Sequence, residues 1–274
     1  MRKYQILLIV ALVTLVASLS AFGGVLMSPM ITEITLPPGT SYEDDITITN
    51  TGDQPMVIEA KTIGFIAPEG VPEFLDPLVD DYTYSGRDLL TLTPTEQTIQ
   101  PGETFLFHYR VAMPEDLDPY GGRYVAAIFR VVPPSTGAKV VVATQVASVF
   151  LLSPGGDAAP HLAFEQIGIY QKKNDPQTVV LSAKIANDGN LHITSDQIWG
   201  MINVADEDGY IIDSFKVNTH TMLPGNTYTH TEEWTASDYL VSGTYQFRLT
   251  VLIFGKVGTE PQEYKLIVPV KLEF

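Results

Sequence analysis

Hydrophobic and polar residues alternate one by one along much of this chain, which is the pattern of β-strands with one buried face. Three stretches show it most clearly: residues 104–111, 178–185 and 244–253. Turn signals separate such stretches, at Gly52-Asp53, Pro101-Gly102, Gly121-Gly122, Asp208-Gly209, Pro224-Gly225 and Ser242-Gly243. No stretch of about 12 residues keeps an apolar period of 3.6, so the pattern predicts an all-β chain without crossover helices.

One of these turns predicts a particular hairpin. Asp208-Gly209 lies between two strand-like stretches, residues 198–205 and 210–217. A two-residue Asp-Gly loop between strands is typical of a type I′ turn, because both residue types tolerate the positive φ angles that this turn needs. The sequence therefore predicts a type I′ hairpin here.

Three turn motifs occur twice and in the same order. Asn50-Thr51-Gly52-Asp53 returns as Asn187-Asp188-Gly189-Asn190, Pro101-Gly102-Glu103-Thr104 as Pro224-Gly225-Asn226-Thr227, and Gly122-Arg123-Tyr124 as Gly243-Thr244-Tyr245. The first two motifs are 51 residues apart in the first copy and 37 in the second, whereas the next interval is similar, at 21 and 19 residues. The repeat predicts two copies of one strand plan, the first with an insertion at residues 66–90 that is rich in proline and acids.

Each half has room for about seven short strands, the size of an immunoglobulin-like sandwich. We therefore predict an all-β fold of two tandem immunoglobulin-like β-sandwiches after an N-terminal signal peptide. The predicted division is residues 1–23 for the signal peptide, 25–153 for the first domain with its acidic insertion 66–90, 154–160 for the linker and 161–274 for the second domain.

The first 23 residues have the three parts of a secretory signal peptide. Arg2 and Lys3 precede an apolar run over residues 6–19, and the small residues Ser20, Ala21, Gly23 and Gly24 follow. Retention as an uncleaved anchor is the alternative, because about 20 apolar residues can span a bilayer. We expect the chain outside the cytoplasm, in the periplasm or at the cell surface, with no membrane-spanning segment after signal cleavage.

Charge and composition narrow the possible partners and chemistry. The chain has 16 basic and 32 acidic residues among 274, and it has no cysteine. Disulfides, thiolate nucleophiles and cysteine-ligated metals are therefore excluded. An acidic chain offers no basic footprint to phosphate groups, so we expect neither nucleic acid nor an anionic membrane surface as a partner.

The turn motifs and their flanking strands resemble those of two families. The first half is similar to the N-terminal domains of PapD-like periplasmic pilus chaperones. The whole chain is similar to WxL-interacting surface proteins of bacteria, which also join two immunoglobulin-like domains. The likeness is carried by Ser28-Pro29, residues 46–55, Leu92-Thr93-Pro94, residues 99–104, Tyr120-Gly121-Gly122 and Gly243-Thr244-Tyr245.

These resemblances imply a non-catalytic module that binds or positions another cell-envelope protein, as a chaperone or a surface adaptor. Pilus chaperones hold the terminal carboxylate of a subunit with an arginine in the first strand and a lysine before the linker. The matching stretches here, residues 27–31 and 147–152, contain no basic residue. The resemblance therefore does not extend to that carboxylate anchor.

Two stretches are candidate partner-binding strands: residues 27–36, and the long apolar residues 140–152. An unpaired strand edge can bond to a partner strand through its main chain, and the groove between the two halves is a second possible site. The candidate contact residues are Met27, Ile31, Val140, Val142, Val146 and Val149. The alternative for residues 140–152 is a buried central strand.

For the protein-binding function we expect no cofactor and no catalytic or metal-binding residue. Two other functions stay open beside it. His220 and His230 flank the Pro224-Gly225 turn, with Glu232 near His230, so a metal-dependent enzyme is one alternative. Apolar residues alternate over residues 264–274, which is typical of an outer-membrane β-barrel strand and equally of a last sandwich strand. The insertion's acids suit a solvated loop or a loop ordered by calcium.

Overall fold

A computed structural model describes residues 24–132, 144–237, 240–255 and 260–273. The described chain is all-β and folds into two immunoglobulin-like sandwiches, which confirms the predicted fold class. The predicted signal peptide lies outside the described residues. Among the residues just given, no helix has the length and apolar character to cross a membrane.

The first sandwich is built from ten strands. They are β1 (Val25–Ser28), β2 (Ile31–Thr35), β3 (Ser41–Asn50), β4 (Met56–Ile66), β5 (Glu73–Phe74), β6 (Leu90–Thr93), β7 (Glu96–Ile99), β8 (Thr104–Ala112), β9 (Arg123–Val132) and β10 (Thr144–Ser153). One sheet has the order β1-β3-β8-β6, and the other has the order β2-β10-β9-β4-β5, with β7 also on β4. Two short 3₁₀ turns, Pro68–Gly70 and Arg87–Leu89, lie in the insertion.

The core of the first sandwich forms where the alternating strands of the two sheets face each other. Phe107 of β8 contacts Phe129 of β9, with ring centroids 5.0 Å apart. Tyr109 contacts Phe150 of β10 at 4.9 Å. All four rings are buried, and such edge-to-face pairs add to the stabilisation from apolar burial.

The second sandwich has seven strands. They are β11 (Leu162–Lys172), β12 (Asp175–Asn187), β13 (Ile198–Ala205), β14 (Ile211–Val217), β15 (Thr227–Thr235), β16 (Gly243–Ile253) and β17 (Gln262–Leu272). Its sheets have the orders β11-β12-β15 and β14-β13-β16-β17. Strand β17 therefore pairs only with β16 and is the edge of an open sheet, the position expected of a last sandwich strand.

The Asp208-Gly209 hairpin joins β13 to β14, but the predicted type I′ turn is wrong. The Gly209 amide donates to the Asp206 carbonyl at 3.1 Å, and of the loop residues only Gly209 has a positive φ, of 87°. This is a type I turn followed by a left-handed glycine, with a register shift after Val204. The Asp206 side chain, which accepts the Tyr210 amide at 2.8 Å, stabilises this longer loop.

Two of the three repeated motifs make the same contacts in both sandwiches. Asn50 is fully buried and its side-chain amide donates to the carbonyls of Gln54 and Ile99, at 2.8 and 3.0 Å. Asn187 is also fully buried and donates to the carbonyls of Leu191 and Met222, at 2.8 and 3.1 Å. In each copy the asparagine carbonyl also accepts the amide of the Pro-Gly turn's glycine.

The sheet that contains β9 and β10 is buried on both faces, unlike the half-exposed strands elsewhere. Its outer face carries a second apolar cluster, which we call the interface cluster: Ile63, Phe65, Ala67, Tyr124, Ala126, Ile128, Val149, Leu151 and Leu223, with Tyr82, Tyr84 and Ala147 packed on it. The two tyrosines come from the insertion, and Leu223 comes from the second sandwich. The first seven residues of β9, which do not alternate, are therefore all buried.

Candidate protein-binding edge

Strand β10 is central in one half and an edge in the other. Antiparallel pairing with β9 covers its whole length, from Thr144 to Leu152. Parallel pairing with β2 covers only Val149 to Ser153. Residues 144–148 therefore have one unpaired edge among the described strands, and we call them the free half-edge. Residues 144–148 thus have the position of an edge strand, and residues 149–153 have that of a central strand.

The backbone groups that point outward from the free half-edge follow from its pairing with β2. The Val149 amide donates to the Met30 carbonyl at 2.9 Å, and the Ser153 carbonyl accepts the Leu36 amide at 2.8 Å. Because backbone groups alternate in direction along a strand, the odd-numbered residues face this side. The amides and carbonyls of Gln145 and Ala147 thus face outward without a strand beside them.

Side chains on the free half-edge differ between its two faces. Val146 is half-buried and packs against the core of the first sandwich. Ala147 packs on the interface cluster, and Gln145 is exposed. The half-edge thus presents the exposed polar residues Thr144 and Gln145 beside the small apolar residues Val146 and Ala147, with no charged side chain and no proline between residues 144 and 148.

Two other edge strands in the described chain, β17 and β15, carry features that hinder strand addition. In β17 the Glu273 amide donates to the Gln171 side chain at 3.0 Å, which shows that odd-numbered residues face the outer edge. Pro269 lies in that set and removes a donor in the middle of the edge. On β15, the Thr229 amide donates to Glu69 of the insertion at 2.9 Å. Proline and charged residues are devices that discourage strand addition, and the free half-edge lacks them.

The predicted contact residues fall in different places. Ile31 and Val149 are directly paired in the β2–β10 ladder, with Ile31 66% exposed and Val149 buried. Met27 lies on β1, in the opposite sheet, with its side chain in the core. Val146 lies on the free half-edge. Val140 and Val142 lie outside the described residues.

Three large apolar side chains near the start of the chain are exposed: Leu26 by 63%, Met30 by 66% and Ile31 by 66%. Leu26 lies on β1 in the opposite sheet, whereas Met30 and Ile31 lie where β2 begins to pair with β10. Neighbouring exposed apolar side chains such as Met30 and Ile31 are candidates for an interaction surface. Sequence alternation over residues 27–36 did not predict that Leu26 and Met30 are exposed, because the chain passes from one sheet to the other between β1 and β2.

A polar triad connects the two sandwiches next to β2, with His192 and Tyr124 buried and Glu33 at the surface. The His192 Nε2 atom lies 3.2 Å from the Glu33 carboxylate, and its Nδ1 atom lies 3.3 Å from the Tyr124 hydroxyl. The hydrogen bond from His192 lowers the pKa of Glu33, partly offset by burial. Since Glu33 lies on β2, the triad fixes β2 and with it the boundary of the free half-edge.

The insertion is an interface element, which sequence reasoning missed. Three hydrogen bonds cross from it to the second sandwich: the Ala67 amide to Asn226 at 2.6 Å, the Thr229 amide to Glu69 at 2.9 Å, and the Tyr82 hydroxyl to the Pro224 carbonyl at 2.8 Å. Burial raises the pKa of the Tyr82 hydroxyl. The signal available in the sequence was the pair Tyr82 and Tyr84, two aromatic residues within an acidic segment.

The residues suggested for a metal centre do not lie together. His220 packs on Tyr228, with ring centroids 4.5 Å apart, whereas His230 is buried between the sheets of the second sandwich. In the part of the chain that the structure describes, no group of three or more His, Cys, Asp or Glu side chains is placed to hold a metal ion.

Comparison with solved structures places this fold beside fimbrial chaperones. A chain from a chaperone–tip adhesin complex of CFA/I fimbriae biogenesis is 13% identical, with a TM-score of 0.50, and the match covers 90% of this chain and 100% of that chain. The class 5 fimbriae chaperone CfaA is also 13% identical, with a TM-score of 0.48 and the same coverage. The Salmonella enterica SafA pilin–SafB chaperone complex gives 11% identity and a TM-score of 0.44, covering 90% and 97%.

No protein-family model matches the sequence, and no curated protein matches it at a significant level. At such low identity, the likeness to the CFA/I chain shows the fold: two immunoglobulin-like sandwiches arranged in tandem. The resemblance to PapD-like chaperones is thus supported at the level of fold. The resemblance to WxL-interacting proteins stays a prediction.

Proposed function

We propose that this protein is an exported, non-catalytic module that binds or positions another cell-envelope protein by main-chain pairing along the free half-edge of β10. The single observation that carries the proposal is that residues 144–148 have one unpaired edge without charge or proline. We also propose that the chain divides into two domains, residues 25–153 and 161–274, joined by a linker at residues 154–160.

A partner strand would occupy the position that β2 occupies further along the sheet. Gln145 and Ala147 each offer one amide and one carbonyl, the groups through which β-strand addition gives affinity. The partner's side chains would cover half-buried Val146 and the exposed Met30 and Ile31. Burying that apolar area supplies the hydrophobic part of the binding free energy.

Export is supported by Arg2, Lys3 and the apolar run at residues 6–19, which have the order of a signal peptide. The location we propose is the periplasm or the cell surface. Fimbrial chaperones with this fold were solved in complex with an adhesin or a pilin. A pilin-like subunit is therefore one class of partner, and a surface protein, as for WxL-interacting proteins, is the other.

The proposed mode of capture does not use basic residues that hold the terminal carboxylate of a partner. Neither residues 27–31 nor residues 147–152 contain Arg or Lys. The nearest buried cation, Arg123 on β9, is occupied by the carbonyls of Pro119, Gly121 and Gly122, at 2.8 to 3.2 Å. The proposed contact is therefore made by backbone pairing and apolar burial, without an ion pair to a terminal carboxylate.

The test is affinity capture of the mature protein from the envelope of the producing cell, followed by mass spectrometry. The double variant Gln145→Pro/Ala147→Pro removes two outward amides but keeps the even-numbered amides that bond to β9. Its matched control, Gln145→Thr/Ala147→Ser, changes the same side chains and keeps the amides. We expect the control to retain the captured partner and the proline variant to lose it at least tenfold.

Thermal unfolding of both variants separates loss of binding from loss of fold. If the double proline variant unfolds, Gln145→Pro alone is used, because that side chain is exposed. In the captured complex, hydrogen exchange at the amides of residues 145 and 147 should slow. Equal capture by the proline variant and its control, with both folded, contradicts strand pairing at this edge.

A further inference from the structure

The three-stranded sheet of the second sandwich has a depression in its outer face, the face turned away from the core. The depression is open to solvent on one side and has a volume of about 550 Å³. Pockets for small molecules have volumes of about 300 to 1,000 Å³, so there is room for a ligand. Its lining comes from β11, β12 and β15 and includes Glu165, Gln166, Gly168, Ser182, Lys184 and Thr229.

A β-bulge in β11 places two planar polar side chains at one end of the depression. The pairing with β12 changes register between Phe164 and Gln166, so Glu165 is an extra residue in the strand. Bulges bend a strand and re-aim its side chains, and they are frequent beside functional sites. The Glu165 carboxylate lies 2.8 Å from the Lys184 ammonium, and Lys184 is also the cross-strand neighbour of Gln166. A carboxylate, an amide and an ammonium therefore lie side by side.

The glycine in the depression is not required by the backbone. Gly168 is paired regularly with Ser182 in the interior of β11, and its φ is not in the left-handed region. Apart from its chain neighbours, no atom of the described residues lies within 4 Å of the place where its Cβ would be. Glycine weakens the interior of a strand and often marks a place where a ligand approaches closely. A larger side chain would fit at this position and would fill the depression.

The polar groups of the depression suit a ligand that carries several hydroxyls. The Glu165 carboxylate accepts hydrogen bonds, the Lys184 ammonium donates them, and the Gln166 amide does both. Ser182 and Thr229 each add a hydroxyl, which also donates and accepts. Neighbouring hydroxyls of a sugar ring need donors and acceptors side by side, and bonds to charged groups are the stronger ones. The ammonium and the carboxylate balance each other, so the lining favours a neutral ligand over an ion.

An exposed aromatic ring lies on the same face of the sheet. Tyr170 is 57% exposed and follows Gly168 by two residues, so both face outward from β11. The cross-strand neighbour of Tyr170 is Val180, which is buried although it also faces outward. Tyrosine offers a flat apolar surface together with a polar tip, and the apolar face of a sugar ring can pack on such a surface.

We propose that the depression binds a neutral saccharide of one or two rings. One ring would lie over Gly168 and bond to Glu165, Gln166 and Lys184, and the second would pack on Tyr170. This inference does not depend on the free half-edge of β10, which is in the other sandwich.

The probes that test the site are four neutral disaccharides: maltose, cellobiose, lactose and N,N′-diacetylchitobiose. The ¹⁵N-labelled mature protein is titrated with each and, in a separate arm, with sodium phosphate. NMR follows the backbone amides of residues 166–168 and 182–184 and the side-chain amide of Gln166. We expect at least one disaccharide to give saturable shifts centred on these groups, with a Kd in the millimolar range because the site is open. Phosphate should give none.

Four variants make the result specific. Gly168→Val should fill the depression and weaken binding at least tenfold without lowering the melting temperature, because valine is favoured in strands. Ala163→Val is the matched control, since it adds the same side chain to the same face of β11 outside the depression, and it should bind as the parent does. Lys184→Met removes a hydrogen-bond donor and Tyr170→Ala removes the ring, and each should weaken binding about fivefold.

The proposal is overturned if none of the four disaccharides gives saturable shifts at these amides. It is also overturned if phosphate alone shifts them, because the depression is then an anion site at Lys184. Parent affinity in folded Gly168→Val, Lys184→Met or Tyr170→Ala contradicts the assigned site. Circular dichroism and thermal unfolding establish that each variant is folded, and if Gly168→Val is not, the other two variants decide the outcome.

Discussion

A single asparagine in each sandwich connects the two turns that repeat in the sequence. Asn50 and Asn187 are fully buried; the side chain of Asn50 bonds to three backbone groups of neighbouring loops and that of Asn187 to four. A buried amide in this position satisfies carbonyls that would otherwise have no donor. The repeated Asn-x-Gly motif is therefore a structural feature of each sandwich rather than a binding motif.

Replacing either asparagine should cost the protein about 3 kcal/mol of unfolding free energy. Asn187→Ala leaves the carbonyls of Leu191 and Met222 buried without their donor, and each orphan group costs about 1–3 kcal/mol. Denaturant unfolding measures the loss. Asn218→Ala, at an exposed position, is the control and should change stability by less than about 0.5 kcal/mol. Equal effects at positions 187 and 218 would contradict this role.

His230 should make the stability of the second sandwich sensitive to mild acid. Burial lowers the pKa of His230, and Glu232 partly opposes the shift. As the pH falls below about 6.5, the unfolded chain takes up a proton that the folded chain does not, so stability decreases until the pH reaches the folded pKa. Above about pH 6.5 this residue contributes no pH dependence.

The measurement is the melting temperature of the parent and of His230→Leu between pH 7.5 and 5.5. The variant should lose less stability over this range than the parent does. Thr231→Leu, at the exposed neighbour of His230 on β15, changes no titratable group and is the control; its curve should run parallel to that of the parent. Parallel pH curves for the parent and His230→Leu would show that residue 230 is not buried in neutral form.

At the scale of elements, β10 shows how one strand can serve two purposes. Its apolar sequence predicted either an edge strand or a central one, and pairing with β2 makes residues 149–153 central while leaving residues 144–148 as an edge. The sequence could not place that division. It depends on where β2 starts, and β2 begins after the chain has left β1 in the other sheet.

The paired residues Val149 and Ile31 should respond oppositely to a lysine. Val149 is 9% exposed within the interface cluster, so Val149→Lys buries an unpaired charge and should cost about 3 kcal/mol or more. Ile31 is its cross-strand neighbour but 66% exposed, so Ile31→Lys should cost less than about 1 kcal/mol. Urea unfolding compares them.

If Val149→Lys proves as stable as the parent, the outer face of this sheet is open in solution and the interface cluster is not formed. If Ile31→Lys is stable but captures less partner, the apolar patch around Met30 takes part in binding. The second result supports the proposed function independently of the proline variants.

At the scale of the whole molecule, the insertion and the second sandwich cover one face of the first. Leu223 is fully buried among Phe65, Tyr124 and the other members of the interface cluster. The triad of Glu33, His192 and Tyr124 adds hydrogen bonds at the same contact. An interface with an apolar centre and bonded polar groups resists relative motion of its two sides.

Leu223→Asp should therefore uncouple the two sandwiches. A carboxylate among apolar side chains is costly, and we expect one unfolding transition in calorimetry to split into two, with an increase in the radius of gyration by small-angle X-ray scattering. Leu78→Asp in the insertion, at a side chain 91% exposed, is the control. An unchanged single transition and radius in Leu223→Asp would show that the sandwiches are not coupled through this residue.

The order of residues alone determined the fold class, because one-by-one alternation and repeated turns are local properties. The doubled Asn-x-Gly and Pro-Gly motifs predicted two copies of one strand plan, and Asn50 and Asn187 make the same bonds in both. The form of the hairpin at Gly209 was predicted wrongly, since the Asp206 side chain favours a longer loop over a two-residue turn.

Tertiary structure decided which strand edges and sheet faces are covered by other parts of the chain. Residues far apart in the chain set the free half-edge and the interface cluster: β2 against β10, and Tyr82 against Pro224. Alternation gives the face of a strand that is buried but not its neighbours, because strand pairing is made between distant segments. For that reason Met27 and Ile31, four residues apart, lie in different sheets.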